Sequence, residues 1–215
     1  MWGIHLKIAK PKISKSLEEL NVKEQWSDRY ITNGIITSLE DIDRDVEDRV
    51  IFDQIYFQRT FLEEFNFKNV EFVDCIFDHC DLSNVYLDNA VFRRVQFNGC
   101  RMLGTSIAQA HLTDVVFLEC NASYFNASYA KLKNTAFNSV ELSKADFVEV
   151  KIQNVSMENC RLDESNFRGT SLTGVDLSTN NYDTITLSLE KLEGCIVSAE
   201  QAIGFARMLG LKVKE

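Results

Sequence analysis

From Phe52 to Leu192 a large apolar residue recurs at every fifth position. Of these 29 positions, 27 carry Phe, Leu, Ile, Met or Tyr, and the other two are Ala122 and Ala127. A helix would repeat its apolar face every three or four residues and a strand every second one. An uninterrupted short period marks a solenoid, in which each unit buries its apolar side only by stacking on its neighbours. Two residues before each large position stands a small or β-branched one, as in Val70, Cys75, Cys80, Val85 and Ala90, which reads as a second inward position. Two residues after it stand Asn69, Asp74, Asn84, Asn89, Gly99 and Gly104, and all five glycines between residues 50 and 194 fall in this phase. Gly, Asn and Asp tolerate turn dihedrals that other residues resist, so each five-residue unit is expected to end in a corner.

The ends depart from the period. Residues 1–49 lack it, and "RYITNGIITSL" (29–39) places Asn33-Gly34 between β-formers, a hairpin signal that predicts a cap over the first coil. The acid-rich "EDIDRDVEDR" (40–49) reads as a solvated connector. The repeat domain is expected over 50–195, followed at 196–215 by a helical cap. There Ser198 and Gln201 form a capping-box signature, and Gly210 sits where a glycine ends a helix. Ala202, Phe205, Ala206 and Leu209 share one face with Ile203 near it, more apolar area than a cap needs, so they are the expected dimer interface.

The six cysteines, Cys75, Cys80, Cys100, Cys120, Cys160 and Cys195, share one phase and have no CxxC spacing. They read as buried fillers rather than disulfides or metal ligands. The three histidines (His5, His79 and His111) are dispersed, and no phosphate loop or nucleophile–base set is present. Neither an enzyme nor a cofactor nor a metal is expected. A net charge of −9 argues against nucleic acid as a direct ligand and fits a basic protein partner. The opening residues carry no apolar secretion core, and no run is long enough for a membrane span. The chain therefore reads as cytoplasmic and without a membrane partner.

The triplets "CDL" (80–82), "ADF" (145–147) and "VDL" (175–177) make the pattern resemble the pentapeptide-repeat family. That resemblance implies an all-β solenoid, a right-handed quadrilateral parallel β-helix with four units per coil and residues 20 apart stacked. The acidic rod together with the C-terminal "SAEQAIGFARMLGLKV" is similar to the Qnr quinolone-resistance proteins of the Gram-positive chromosomal type. Plasmid-borne relatives interrupt the repeat with long loops, and this chain does not. The likeness implies a homodimer, joined through the C-terminus, that imitates DNA and protects DNA gyrase or topoisomerase IV from quinolones. The other reading is a scaffold or immunity protein with a different protein partner.

Assigning residues to four faces by their number modulo 20 bears on that choice. The face beginning at 50 is balanced and includes Asp53, Glu71, Asp74 and Asp114. The faces beginning at 55 and 60 carry net −3 and −4, so most of the repeat's −8 lies on one half of the rod. Asp78, Asp81, Glu119, Glu141, Glu158, Asp163, Glu164 and Asp176 form the expected topoisomerase-facing stripe.

Overall fold

The computed structural model describes residues 6–39, 42–63, 65–67 and 69–214. A short helix α1 (Val22–Trp26) precedes strands β1 (Tyr30–Ile36), β2 (Asp45–Val46), β3 (Ile51–Gln58) and β4 (Asn66–Phe67). Strands β5 (Glu71–Val73), β6 (Ile76–Asp78), β7 (Val91–Asn98), β8 (His111–Leu118), β9 (Lys131–Asn138) and β10 (Lys151–Glu158) follow. The chain closes with β11 (Ser165–Phe167), β12 (Ile185–Leu187), a 3₁₀ turn at Leu189–Lys191 and helix α2 (Ala199–Met208). The long strands stack in parallel in the order β1, β3, β5 with β6, β7, β8, β9, β10. Each residue lies over the one 20 further on, as in Phe52↔Phe72, Phe72↔Phe92 and Phe117↔Phe137. This is the expected parallel β-helix.

The corners come from backbone geometry. Each described fifth residue from Gln54 to Gly174 has a φ between +49° and +76°. Glycine, asparagine and aspartate adopt this left-handed region readily, but Arg59, Tyr124, Tyr129 and Lys144 adopt it too. The left-handed form costs an L-residue roughly 1–2 kcal/mol. The ladder on both sides offsets that cost, because a corner amide such as Asp74 N donates to Arg93 O at 2.9 Å.

Inside, rings stack coil on coil. Phe57, Phe77, Phe97, Phe117 and Phe137 form a column with centroids 4.3, 4.7, 4.8 and 4.7 Å apart. Where the column of large residues falls to Ala122 and Ala127, Phe125 in the small-residue phase is buried in compensation. The cysteine phase also has a chemical logic. The thiols of Cys80, Cys100 and Cys160 donate to the carbonyls of Phe57, Phe77 and Phe137 at 3.4–3.5 Å. Thr105 and Thr170 use the same carbonyl positions, Leu82 and Phe147. A small side chain with a weak donor suits this position. Five cysteines are buried and Cys195 is half-buried, and burial pushes Cys160 and Cys195 up to about 11.

Two expectations for the N-terminal segment are corrected. No hairpin forms at 29–39: β1 is one continuous strand, parallel to β3, with Ile31 over Phe52. A two-residue hairpin of the Asn-Gly type needs positive φ at both residues, yet only Asn33 has it. Asn33 makes a corner, and Gly34 is buried where an added Cβ would lie 2.8 Å from Leu20 Cβ. The acid-rich stretch is the rest of this first coil rather than a free connector. Within it Ile42 and Val46 are buried, and β2 pairs with β4. Its residues 40 and 41 lie outside the described residues.

At the other end the stack opens. The repeat rule calls for Ile152 N to Ser171 O, Asn154 N to Thr173 O and Ser171 N to Val150 O, and none of these bonds forms. Residues 171–178 instead make tight turns, Val175 N to Leu172 O and Asn180 N to Leu177 O at 3.0 Å. They cannot lie flat on the extended β10. Side chains bridge the seam at its ends: Val150 N donates to Thr170 Oγ1 at 2.8 Å and Cys160 N to Asn180 Oδ1 at 2.9 Å.

Phe117, 1% exposed between Phe97 and Phe137, has no space to relax into. Phe117→Ala is expected to destabilise the fold by about 3–5 kcal/mol, read by chemical denaturation.

Candidate functional site

The eight acids of the expected stripe all point outward, but they do not form one continuous file. Asp78, Glu119 and Glu158 follow one edge at intervals of about two coils, roughly 10 Å. Asp81 and Glu141 stand in a column with Arg101, Asn121 and Arg161 between and after them, each one coil apart. Arg101 Nη1 lies 3.7 Å from Asp81 Oδ2, so this column is close to neutral.

Several of these acids also brace the backbone. Asp81 and Asp176 each accept the amide two residues on, Ser83 N at 2.9 Å and Ser178 N at 2.8 Å, and Glu141 accepts Ser143 N at 3.0 Å. Asp163 Oδ1 accepts the amides of Thr184 and Asp183, both at 3.0 Å, which hold its carboxyl below the usual carboxylate range. Asp78 accepts the Tyr56 hydroxyl at 2.9 Å, and burial followed by that carboxylate pushes Tyr56 up to about 12. Glu164 lies 3.7 Å from Lys144, whose ammonium sits 5.3 Å from the Tyr124 ring centroid. Glu119 and Glu158 are exposed corner and edge residues with no side-chain bond among the described residues. On the balanced face, Asp53 accepts the Tyr30 hydroxyl and Glu71 pairs with Arg49.

Helix α2 has two sides. The capping box is made, with Ser198 Oγ accepting from Gln201 N and Gln201 Oε1 accepting from Ser198 N. The Gln201 amide also donates to Leu177 O and Asn180 O at 2.9 and 3.0 Å, which fastens the helix to the last coil. Gly210 N bonds to Arg207 O and Leu211 N to Ala206 O, closing the C-terminus with Gly210 at φ +82°. Of the expected interface residues, Phe205 packs against the core and Ala206 is half-buried. Ala202, Ile203 and Leu209 face solvent, beside Ile196, Met208 and Leu211 at 41%, 48% and 60% exposure.

A family model described as "Pentapeptide repeat region" matches residues 48–126, 70–147 and 90–167, together more than half of the chain. The chain belongs to the pentapeptide-repeat family. It is 31% identical over 163 residues to the uncharacterized protein YisX of Bacillus subtilis (strain 168), covering 71% of this chain and 77% of YisX. Among solved structures it is similar to a trypsin-treated form of QnrB1, a plasmid-mediated fluoroquinolone resistance protein. The identity is 16%, the TM-score 0.53, and the match covers 86% of this chain and 97% of that one. HetL, a pentapeptide-repeat protein involved in heterocyst differentiation regulation from Nostoc sp. strain PCC 7120, aligns with a TM-score of 0.43. It is 13% identical, with 84% of this chain and 93% of that one covered. At 16% identity the likeness to QnrB1 shows the fold.

This pentapeptide-repeat protein carries a surface element that the periodicity does not reveal. Residues 6–15 run as an extended arm along the rod. Lys12 N donates to Asp74 Oδ1 at 2.9 Å and Ala9 N to Asp114 Oδ1 at 3.3 Å. Asp74 and Asp114 are corner residues two coils apart, about 9.6 Å, and three extended residues span about 10 Å, so the arm lies along the axis. Leu6, Ile8, Pro11 and Ile13 are half-buried while Lys7, Lys10 and Lys12 are exposed. That alternation was legible in the sequence, but its docking partner was not. Among the described residues no group of three or more His, Cys, Asp or Glu could hold a metal, and no helix is long and apolar enough to cross a membrane.

Asp74 is 5% exposed. Burial would raise its pKa, but the bidentate Arg94 contact at 2.6 Å and the Lys12 amide outweigh burial and lower it. Its contribution is therefore full above about pH 4, the ordinary carboxyl value, and is lost as pH falls through the lower folded value. Asp74→Asn should lower stability at pH 7 by about 1–3 kcal/mol. Thermal melts followed by circular dichroism should show the gap from wild type closing as pH falls below the ordinary carboxyl value of about 4.

Proposed function

We propose that this protein binds a bacterial type II topoisomerase, DNA gyrase or topoisomerase IV, as a DNA mimic and shields it from quinolones. The observation that carries the reading is the one-sided charge of the rod. The faces beginning at 55 and 60 hold −7 of the repeat's −8, in columns kept straight by the 20-residue register. A basic groove attracts such a surface, and complementary charge speeds and orients the encounter. The fold shared with QnrB1 adds support, since that protein is itself a fluoroquinolone resistance protein.

Magnitudes shape the mechanism. Seven net charges over seven coils give about one per 5 Å at ~4.8 Å per coil, against one per ~1.7 Å in duplex DNA. Shape must therefore supply much of the recognition, and salt should weaken binding less steeply than it weakens DNA binding. Length comes from pairing two rods. The exposed side of α2, with Ile203 and Leu209, joins two copies end to end. Two rods of ~35 Å give about 70 Å, roughly the span of 20 base pairs at 3.4 Å rise.

The test is a supercoiling assay with and without a quinolone, alongside direct binding. Glu119→Gln, Glu158→Gln and Glu164→Gln together remove charge without removing a bond to the backbone. They should weaken topoisomerase binding about tenfold and leave the melting temperature within a degree or two. The control, Glu149→Gln with Glu190→Gln and Glu193→Gln, removes equal charge away from the stripe and should leave affinity near wild type. Equal losses in the two variants would reduce the effect to net charge, and no loss in either would favour a scaffold with another partner.

Association is tested separately. Ile203→Glu with Leu209→Glu keeps the Gln201 and Phe205 contacts that seat α2. Sedimentation should give a dimer for the wild type and a monomer for the variant. A dimeric variant would move the interface elsewhere.

A further inference from the structure

The face beginning at 50 is balanced only as a sum, because its charges separate along the axis. Its acids stand in the early coils and are occupied. Asp53 accepts the Tyr30 hydroxyl, Glu71 pairs with Arg49 and Asp74 pairs with Arg94. Asp114 accepts Ala9 N and Asn134 Nδ2. Further along, Arg93, Lys131, Lys133 and Lys151 are exposed, and none has an ion pair or side-chain hydrogen bond among the described residues.

The ladder fixes where these cations stand. Lys151 lies directly over Lys131, and Lys131 over His111, at about 4.8 Å per coil. Lys133 is two residues along the same strand as Lys131, roughly 6.6 Å away. Arg93 lies two coils before Lys133, with Thr113 between them. Like charges directly opposite one another on a sheet destabilise it. These are outward positions, so neutral residues there would leave the core unchanged, and the fold gains nothing from stacked lysines. The arm adds Lys7, Lys10 and Lys12, all exposed, along one rim of this face, since it is fastened to the corner residues Asp74 and Asp114. On the other rim the exposed acid is Glu149.

Tyr129 narrows the choice of ligand. It is 56% exposed at the corner two residues before Lys131. Its φ is +62°, where asparagine or glycine fits readily and an aromatic residue is strained. Asn89 and Gln109 hold the same corner in the two preceding coils. An exposed ring beside unpaired cations offers a stacking surface to a nucleobase and charge to its phosphates. That combination holds single strands without sequence preference. An acidic peptide or a lipid headgroup would use the cations and leave the ring idle.

We infer that Arg93, Lys131, Lys133 and Lys151, with Tyr129 at their rim, bind single-stranded nucleic acid, phosphates on the cations and a base on the ring. The net charge of −9 is the wrong scale on which to exclude this ligand, because the excess acids lie on the faces beginning at 55 and 60. The face beginning at 60 is across the core, and a Debye length of about 10 Å at 0.1 M salt screens its repulsion. The surface is separate from the acidic stripe, so the inference does not depend on the topoisomerase reading.

Fluorescence anisotropy of a labelled oligothymidylate with the full chain, and no topoisomerase present, tests it. The wild type should bind, and contact with about four phosphates should weaken affinity about 50-fold between about 50 and 200 mM salt. Lys131→Gln with Lys133→Gln and Lys151→Gln should lose at least about tenfold and flatten that salt dependence. Its melting temperature should stay unchanged or rise, since stacked like charges are removed. Tyr129→Asn, which suits the corner, should lose about tenfold at fixed salt and keep the wild-type salt dependence. No binding at about 50 mM salt with about 100 μM protein would overturn the inference. Full binding by the lysine variant would place the strand elsewhere and overturn it too. Loss in the lysine variant with none in Tyr129→Asn would make the face a general polyanion surface and overturn the assignment to nucleic acid. Equal competition by polyglutamate, or by vesicles of phosphatidylserine and phosphatidylcholine, would do the same.

Discussion

The 20-residue register is the constraint on which everything else in this molecule rests. Four left-handed corners per coil bring the chain back over itself without offset, so identical phases meet and amides such as Asp74 N and Lys151 N find a carbonyl one coil away. Rings can then stack at 4.3–4.8 Å, and a cysteine or threonine donor recurs at the same carbonyl in coil after coil. The corners are strained for most residues, so the register is held by the ladder and the core together rather than by turn propensity. This explains why Arg59, Tyr124 and Lys144 take positive φ as readily as Gly99 or Asn84.

Departures from the register are where the molecule acquires individuality. The first coil is one residue longer, since Ile31 lies over Phe52 rather than 20 residues away, yet it still stacks. At 171–178 tight turns replace extended backbone and the stack opens. Beyond it Asp163 holds the amides of Asp183 and Thr184, which steadies an irregular coil. Helix α2 ends the rod with one side fastened by Gln201 and the other left apolar. A regular solenoid offers repeated, featureless faces, and these breaks give it ends, a seam and a direction.

Charge is distributed by the same geometry. Because columns are straight, an acid at one position either repeats or is answered by whatever stands 20 residues on. Arg101 answers Asp81 in this way, whereas Asp78, Glu119 and Glu158 recur along an edge with Asn98, Leu118 and Asn138 between them. A surface built so has fixed spacing and little freedom to adapt. It suits a partner that reads shape and position more than one that reads total charge. Acids such as Asp163 and Asp78 also serve the fold, so in the proposed interface stability and recognition would draw on the same side chains.

The sequence by itself determined the solenoid, its inward phases, the positions of the corners, the stacking of residues 20 apart and the two-ended signature of α2. These are local or strictly periodic properties, and each unit repeats the same physical choice. It misassigned Asn33-Gly34 because a corner and a hairpin turn call for the same residue types, and only the pairing of Ile31 with Phe52 separates them. It could not place the arm, because Lys12 and Asp74 are 62 residues apart and nothing in either neighbourhood encodes their meeting. Nor could it reveal the open seam, since residues 171–178 keep the five-residue period. Whether two coils bond depends on matching backbone shapes, and that is decided only when one coil is laid upon the other.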